Sequence, residues 1–191
     1  KELNTYSEND LSKKLSVVLT ERLPESQLTV FELIALGRQP YTNWIDTLSK
    51  ADLEKIETAI KQTEIGHLKN QRFYELSDGQ LQRVLIARAL AQDTDVIILD
   101  EPTAHLDMHQ TINIFSLLQQ LVKQTNKTII VSSHEINLAL KLSDEIILLT
   151  ENNLQFGTTE ALIAKNAFDK LFPNNLLKFN KSLQQFVINK T

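Results

Sequence analysis

Two short groups of polar residues have the types and spacing needed to handle phosphate. The first group is Ser77, Asp78, Gly79 and Gln80, which stand where a helical pattern of apolar residues begins. The first N–H groups of a helix have no intrahelical partners and lie at the positive end of the helix dipole, so such a helix start can bind an anion. The same residues, with Asp78 as a capping carboxylate, can equally form a helix cap and nothing more.

The second group is Asp100 and Glu101, which follow the apolar, partly β-branched residues 96–99. That run is typical of a strand buried on both faces. Carboxylates at the carboxyl end of a parallel strand lie where α/β folds bind ligands. Asp100 can therefore hold Mg²⁺, directly or through water, and Glu101 can polarise a water for attack on phosphorus. Taken alone, the same pair after a strand is also typical of a solvated loop.

The composition limits the class of protein. The chain has 191 residues, is 42% hydrophobic, carries a net charge of −4 and contains no cysteine. Its length favours one domain, with room for a subdomain. Because no long apolar run is present, any membrane role falls to a partner. The lack of cysteine excludes disulfides and fits the cytoplasm, and the scattered Lys and Arg residues argue against a nucleic-acid partner.

The order of the predicted elements favours an α/β fold. Strands are predicted over residues 16–20, 96–99, 127–133 and 145–150, with helical patterns between them. Thr29 is a predicted N-cap and Gly37 a predicted helix stop, and Ser49 with Asp52 forms a predicted capping box. Residues 154–157 are expected to run antiparallel to the strand before them. The alternation of strands and helices predicts a mainly parallel sheet with right-handed crossovers.

Together and in this order, the two polar groups resemble the signature and Walker B motifs of the ATP-binding-cassette (ABC) ATPases. Residues 104–107, Ala-His-Leu-Asp, look like the D-loop of that family, and residues 129–134 look like its strand ending in the switch histidine, here His134. We therefore identify the sequence as a member of this family. The resemblance implies a P-loop NTPase-like α/β fold, a mainly parallel sheet flanked by helices with an inserted helical subdomain.

The resemblance also implies a division of the chain. Residues 1–21 would end the N-terminal core and contain the Q-loop strand, 22–75 would form the helical subdomain, 76–165 the catalytic core and 166–191 a C-terminal extension. The Walker A pattern Gly-x-x-x-x-Gly-Lys-Ser/Thr is not in this sequence, and none of its four glycines precedes Lys-Ser or Lys-Thr. We therefore expect a fragment that lacks the N-terminal strands and P-loop of an ABC subunit. We expect the intact subunit to hydrolyse ATP and this chain alone to be inactive.

Site roles follow from the resemblance. In the family, two subunits sandwich two ATP molecules with Mg²⁺, so residues 77–80 would contact the ATP of a partner and Asp107 would link the two sites. Asp100 would hold Mg²⁺ through water, Glu101 would act as general base, and His134 would contact the γ-phosphate. Glu21 stands where the family has a metal-contacting Gln, and Asp78 replaces a usual glycine. A carboxylate can still ligate Mg²⁺, whereas Asp78 adds repulsive charge near phosphate.

Residues 28–41 read Leu-Thr-Val-x-Glu-Leu-Ile-Ala-Leu-Gly-Arg-x-Pro-Tyr, which is similar to importer ATPases for iron–siderophore, haem and vitamin B12 substrates. The resemblance implies an ATP-binding subunit that drives uptake, with a second identical subunit and integral-membrane permease subunits as partners. It would sit peripherally on the cytoplasmic face of the inner membrane. Tyr41 and Trp44 are then candidate permease contacts, or ordinary packing residues.

Two alternatives remain open from the sequence. One is a non-transport ABC ATPase of DNA repair or translation, although no coiled-coil insertion or basic arm is present. The other is a permease-docking module that hydrolyses nothing, although Glu101 and His134 would then have no use. A metal pair formed by His105 and His109 is rejected, because the D-loop pattern explains this stretch and no third ligand is evident.

Overall fold

A computed structural model of the chain describes residues 2–20, 24, 26–42, 47–150, 153–169, 171–172 and 177–189. The chain divides into two compact units, Lys1–Ser132 and Ser133–Thr191. The two polar groups that the sequence analysis assigned to phosphate chemistry, residues 77–80 and 100–101, lie in the first unit. His134 lies in the second.

A sheet of three parallel strands organises the first unit. Its strands are β1 (Leu15–Val18), β2 (Val96–Asp100) and β3 (Thr128–Ser132), in the order β1-β2-β3. The register places Val18 beside Leu99 and Asp100 beside Ser132. Because the strands are parallel, their carboxyl ends meet at one edge of the sheet. The predicted parallel sheet is confirmed there.

The prediction that β2 is buried on both faces is wrong. Ile97 and Leu99 are fully buried in one core with apolar residues of the helices, whereas Ile98 on the opposite face is only half-buried. Val17 and Ile130 are in register with Ile98 and are 50% and 38% exposed. The strand therefore has one buried face and one partly exposed apolar face.

The helices of the first unit begin at side-chain caps. They are α1 (Glu8–Ser12), α2 (Val30–Ala35), α3 (Lys50–Gln62), α4 (Asp78–Ala91) and α5 (Met108–Gln124). The predicted N-cap Thr29 is confirmed, and so is the capping box of Ser49 with Asp52. Short 3-10 helices cover Leu3–Thr5, Leu36–Tyr41, Gly66–Leu68 and Phe73–Glu75. Helices α2 to α5 pack with the buried face of the sheet into one apolar core, and the 3-10 segments 36–41, 66–68 and 73–75 add residues to it.

Gly37 does not end its helix as predicted. Helix α2 ends at Ala35, and the chain continues directly as the 3-10 helix Leu36–Tyr41. A Cβ atom at Gly37 would fall well inside van der Waals contact of the main-chain carbonyl oxygen of Arg88 in α4. Glycine is therefore needed here because two backbones approach closely, not because the chain turns.

Arg38 extends this contact to the end of α4. Its Nε donates to Asp52 Oδ1 at 2.8 Å and its Nη1 donates to the Ala91 carbonyl at 2.8 Å. Both charged side chains are 93% buried. Truncating one member of a buried ion pair strands the other charge, so Arg38 and Asp52 stabilise the unit only together.

The second unit is built on two antiparallel strand pairs. Strands β4 (Ile146–Thr150) and β5 (Asn153–Gly157) form one pair, which confirms the predicted antiparallel turn-back. Strands β6 (Leu177–Asn180) and β7 (Gln185–Ile188) form the other, and helices α6 (Ile136–Leu142) and α7 (Thr159–Ala164) accompany them. Across the described residues, no helix is both long enough and apolar enough to cross a bilayer.

An aromatic cluster holds the second unit together. The ring centroids of Phe168 and Phe179 are 4.7 Å apart, and those of Phe179 and Phe186 are 5.1 Å apart. Leu140 of α6 and Leu162 of α7 are buried against the same cluster. Described residues beyond 165 thus share a core with residues of the range 133–165.

We expect Gly37→Ala to lower the unfolding free energy by about 1–3 kcal/mol, because the added methyl group collides with backbone that has no room to move. Denaturant unfolding of the purified chain measures this. Gly66→Ala is the matched control, since its nearest neighbour would be Ile60 Cγ2 at 4.0 Å. Equal effects of the two substitutions would contradict the assigned role of Gly37.

Acid should weaken the Asp52 cluster. The hydrogen bond from the Ser49 hydroxyl, together with the Ser49 N–H and the Arg38 guanidinium, lowers the pKa of Asp52 although burial opposes this. A depressed pKa stabilises the fold above the unfolded value of about 3.9, and that contribution is lost as pH falls through the folded value. Asp52→Asn should cost about 3 kcal/mol at pH 7, and its difference from the parent should shrink below about pH 4. A difference that stays constant across urea titrations at falling pH would contradict this.

Candidate functional site

Asp100, the last residue of β2, is held by hydroxyl groups on either side of its strand. Ser132, at the end of β3, donates from Oγ to Asp100 Oδ1 at 2.6 Å. Thr20, just beyond β1, donates from Oγ1 to the Asp100 carbonyl at 2.8 Å and lies 3.2 Å from Oδ2. A carboxylate oxygen has two lone pairs, so each keeps capacity for a water or a cation. Hard oxygen donors of this kind suit Mg²⁺.

Glu101 follows at a sharp change in backbone direction. Its φ is 44°, in the left-handed region that non-glycine residues rarely adopt. Its N–H donates to Ser132 Oγ at 2.9 Å, and its carbonyl accepts from the Ala104 N–H at 3.0 Å. Strained backbone held by its surroundings is common at functional sites, which makes Glu101 a candidate for chemistry.

The first turn of α4 is a reciprocal capping box. Ser77 Oγ accepts from the Gln80 N–H at 3.3 Å, and Gln80 Oε1 accepts from the Ser77 N–H at 3.0 Å. The prediction that Asp78 caps the helix is wrong, because Asp78 is its first helical residue and Ser77 is the cap. Ser-x-x-Gln satisfies two N–H groups at once, which a single aspartate does not. The Asp78 side chain is exposed there and favourably placed relative to the helix dipole.

Gly79, in the same turn, is not required by the fold. A Cβ atom there would lie 3.0 Å from Oε1 of Gln110, the far end of a flexible side chain in α5. The contrast with Gly37, which faces immovable backbone, is clear. A glycine that packing does not need leaves the amides at the start of α4 open to close approach by another group.

Asp107 and Gln110 connect this helix start to the next loop. Asp107 caps α5 by accepting from the Gln110 N–H at 2.8 Å. The side chain of the same Gln110 approaches Gly79. The structure therefore brings Asp107 near residues 77–80 through one intermediate residue. Gln110 was missed by the sequence analysis, because no motif marks it.

Ser132 and Thr20 were missed as well. The Ser-Ser-His stretch was considered only for its histidine, and Thr20 only as the end of a strand. Strand register is the signal that identifies them, since parallel pairing places Ser132 opposite Asp100. Among the predicted residues, Glu21 lies outside the described residues. His134 is exposed at the start of the turn into α6, where its carbonyl accepts from the Ile136 N–H at 2.9 Å.

The two proposed permease contacts fare differently. Trp44 lies outside the described residues. Tyr41 is 38% exposed, and the guanidinium of Arg38 lies 4.0 Å from its ring centroid. Burial raises the pKa of the Tyr41 hydroxyl. Tyr41 thus packs on Arg38 and still presents one surface to solvent, so its contact with a permease stays a prediction.

Comparison with known proteins places this arrangement in context. A family model described as "ABC transporter" matches residues 1–104. The chain is 35% identical over 173 residues to an uncharacterized ABC transporter ATP-binding protein of Methanocaldococcus jannaschii, covering 90% of this chain and 60% of that protein. It is 35% identical over 167 residues to the probable siderophore transport system ATP-binding protein YusV of Bacillus subtilis, covering 87% and 61%. The chain thus spans about 60% of the length of these relatives.

A third relative, the petrobactin import ATP-binding protein YclP of Bacillus subtilis, is 33% identical over 172 residues, covering 90% of this chain and 68% of that protein. Among solved structures, an ABC transporter in an inward-facing conformation, assigned to the metal-chelate type, matches with a TM-score of 0.77 at 27% identity, covering 91% and 70%. The dimeric ABC transporter cassette MJ0796 matches with a TM-score of 0.65 at 29% identity, covering 82% and 69%. These neighbours confirm the predicted α/β fold.

Gly79→Ala should leave the unfolding free energy within about 0.5 kcal/mol of the parent, because Gln110 can swing away from the added methyl group. Chemical denaturation compares it directly with Gly37→Ala. A loss of more than about 1 kcal/mol would show that packing, and not an approaching ligand, accounts for the glycine at position 79.

Proposed function

The chain belongs to the ABC transporter family of ATP-binding proteins. From that premise, we propose that it is part of the ATP-binding subunit of an importer, which hydrolyses ATP to drive uptake of an iron chelate. The observation that carries the proposal is the pair Asp100 and Glu101 at the edge of a parallel sheet. One carboxylate is anchored by neighbouring hydroxyls and the other residue is held in a left-handed turn.

Asp100 fits the role of magnesium holder. Its two carboxylate oxygens are oriented by Ser132 and Thr20 and retain lone pairs for the water molecules that Mg²⁺ usually keeps. The bound ion would neutralise phosphate charge during transfer. Glu21, next to Thr20 in the chain, is proposed as a second oxygen ligand of the Mg²⁺ that arrives with ATP.

Glu101 is proposed as the general base. It would accept the proton of a water whose oxygen attacks the γ-phosphorus, while the bond from that phosphorus to the bridging oxygen breaks to give ADP and phosphate. His134 would donate a hydrogen bond to the γ-phosphate. The cassette MJ0796 has been solved in a post-hydrolysis state bound to ADP and Pi, which supports this chemistry for the present chain.

The start of α4 is proposed to contact nucleotide carried by a second subunit. Ser77 and the open amides near Gly79 offer hydrogen bonds to phosphate, with Gln80 holding Ser77 in place. Asp78 opposes this contact, since its negative charge lies in the same turn and repels phosphate. Asp107 lies near this turn through Gln110 and would join the two sites. The dimeric structure of MJ0796 supports the pairing.

The names of relatives support a proposal for the cargo. Proteins similar to this chain are named for siderophore and petrobactin import, and the first structural neighbour is of the metal-chelate type. We therefore propose a ferric chelate as cargo, integral-membrane permease subunits as partners, and a peripheral position on the cytoplasmic face of the membrane. Uptake of radiolabelled ferric chelates by cells with and without the gene tests the cargo.

The deciding experiment uses the full-length product of the gene that encodes this chain. Mg-ATP binding is measured by calorimetry and turnover by phosphate release. The parent should bind and hydrolyse ATP, and Glu101→Gln should bind ATP while losing at least about 100-fold in turnover, the usual contribution of a general base. Gly79→Ala should lose turnover while remaining folded.

Glu160→Gln is the matched control, because Glu160 is an exposed carboxylate on α7. It should hydrolyse ATP like the parent. If the parent neither binds nor hydrolyses Mg-ATP, the proposal is wrong and a permease-docking module without hydrolysis replaces it.

A further inference from the structure

The hydroxyl group of Ser132 is both a hydrogen-bond donor and a hydrogen-bond acceptor at this site. Its hydroxyl donates to Asp100 Oδ1 at 2.6 Å and accepts the Glu101 N–H at 2.9 Å. A serine hydroxyl has one proton to give and two lone pairs, so both bonds form together. One side chain therefore orients the carboxylate of one residue and the backbone of the next.

The second bond falls on the strained residue. Glu101 has a φ of 44°, so its backbone occupies a region that an L residue rarely adopts. The N–H of Glu101 is directed at Ser132 in that conformation. Removing the acceptor would let the backbone relax toward a common conformation, and the side chain that it carries would move with it.

The first bond is supported from the other side. Thr20 Oγ1 lies 3.2 Å from Asp100 Oδ2 and 2.8 Å from the Asp100 carbonyl. Asp100 would thus keep one anchor if Ser132 were removed, whereas the Glu101 N–H would lose this acceptor. The two carboxylates therefore differ in how far they depend on Ser132.

Ser132 lies outside the apolar core, so its hydroxyl can orient neighbouring groups without contributing to the stability of the fold. Ser132 and Asp100 are both exposed at the sheet edge, and the apolar core lies beneath β2 and β3. Replacing an exposed serine by alanine keeps Cβ and removes no buried contact. The effect of the hydroxyl is therefore to direct its neighbours, not to hold the sheet together.

We propose that Ser132 is a positioning residue that sets the Glu101 carboxylate relative to Asp100, and so governs the hydrolytic step and not nucleotide binding. This rests on the proposed ATPase function. Ser132 itself touches neither nucleotide nor attacking water in this role. Its contribution reaches the reaction only through its two neighbours.

The test compares steady-state ATP hydrolysis by the full-length gene product and its variants. Ser132→Ala should lower kcat by about 10- to 100-fold, the range expected for a small displacement of a catalytic group. The KM for ATP should stay within about threefold, because Thr20 still anchors Asp100 when the Ser132 hydroxyl is removed. Ser132→Thr keeps a hydroxyl that can donate and accept, and it should restore most of kcat. Thr128→Ala, an exposed residue at the other end of β3, should behave like the parent.

Glu101→Gln measured in parallel separates this inference from the proposed function. If Glu101→Gln hydrolyses ATP like the parent, the proposed function is wrong. If Glu101→Gln is inactive while Ser132→Ala keeps its kcat, raises only KM, or is not rescued by threonine, the role of Ser132 is overturned and the proposed function survives. Should Ser132→Ala lower the melting temperature, Ser132→Cys, which is close in size but a weak hydrogen-bonding group, takes its place with the same expected loss of kcat.

Discussion

Parallel pairing of β2 with the strands on both sides decides which side chains surround the Asp100 carboxylate. Parallel strands bring their carboxyl ends to one edge, so residues far apart in sequence meet there. Antiparallel neighbours would bring their amino ends instead and leave Asp100 with other partners. A slip of one residue would turn Ser132 to the opposite face of the sheet. The position of the Thr20 and Ser132 hydroxyls around Asp100 thus depends on the register of β1 and β3 with β2.

The helix α4 links the site to the rest of the first unit. With 14 residues it is about 20 Å long, and its two ends have opposite surroundings. The last turns lie in close contact with Gly37, and Arg38 donates a hydrogen bond to the Ala91 carbonyl at their end. In the first turn, Ser77 and Gln80 hydrogen-bond to each other, and the atoms nearest to a Cβ at Gly79 belong to the flexible side chain of Gln110. A rod fixed at one end can present the other end reproducibly to a ligand.

Local patterns predicted local structure well and long-range contacts poorly. The capping box of Ser49 with Asp52, the N-cap Thr29 and the strand before Asp100 follow from residues within four positions of each other, and the sequence predicts them. The capping box of Ser77 with Gln80 is equally local and was not predicted. The partners of Asp100 lie 32 and 80 residues away in the chain and depend on register. Gly37 was misread for a related reason, since a glycine after an apolar run is typical of a helix stop and the backbone that actually requires it belongs to another helix. The aromatic core of the second unit was not predicted because Phe168, Phe179 and Phe186 meet through contacts between separate elements, which no local pattern specifies.

The two glycines that face α4 and α5 differ in what a cell would notice if each were lost. A methyl group at position 37 acts on the folding equilibrium, so the defect would be one of dosage, recessive and relieved by low temperature or overexpression. A methyl group at position 79 is expected to leave the amount of folded protein unchanged. Under the proposed pairing of two subunits, such a chain would still pair with normal chains, and most assemblies would contain at least one altered chain. The allele would therefore interfere with the normal copy.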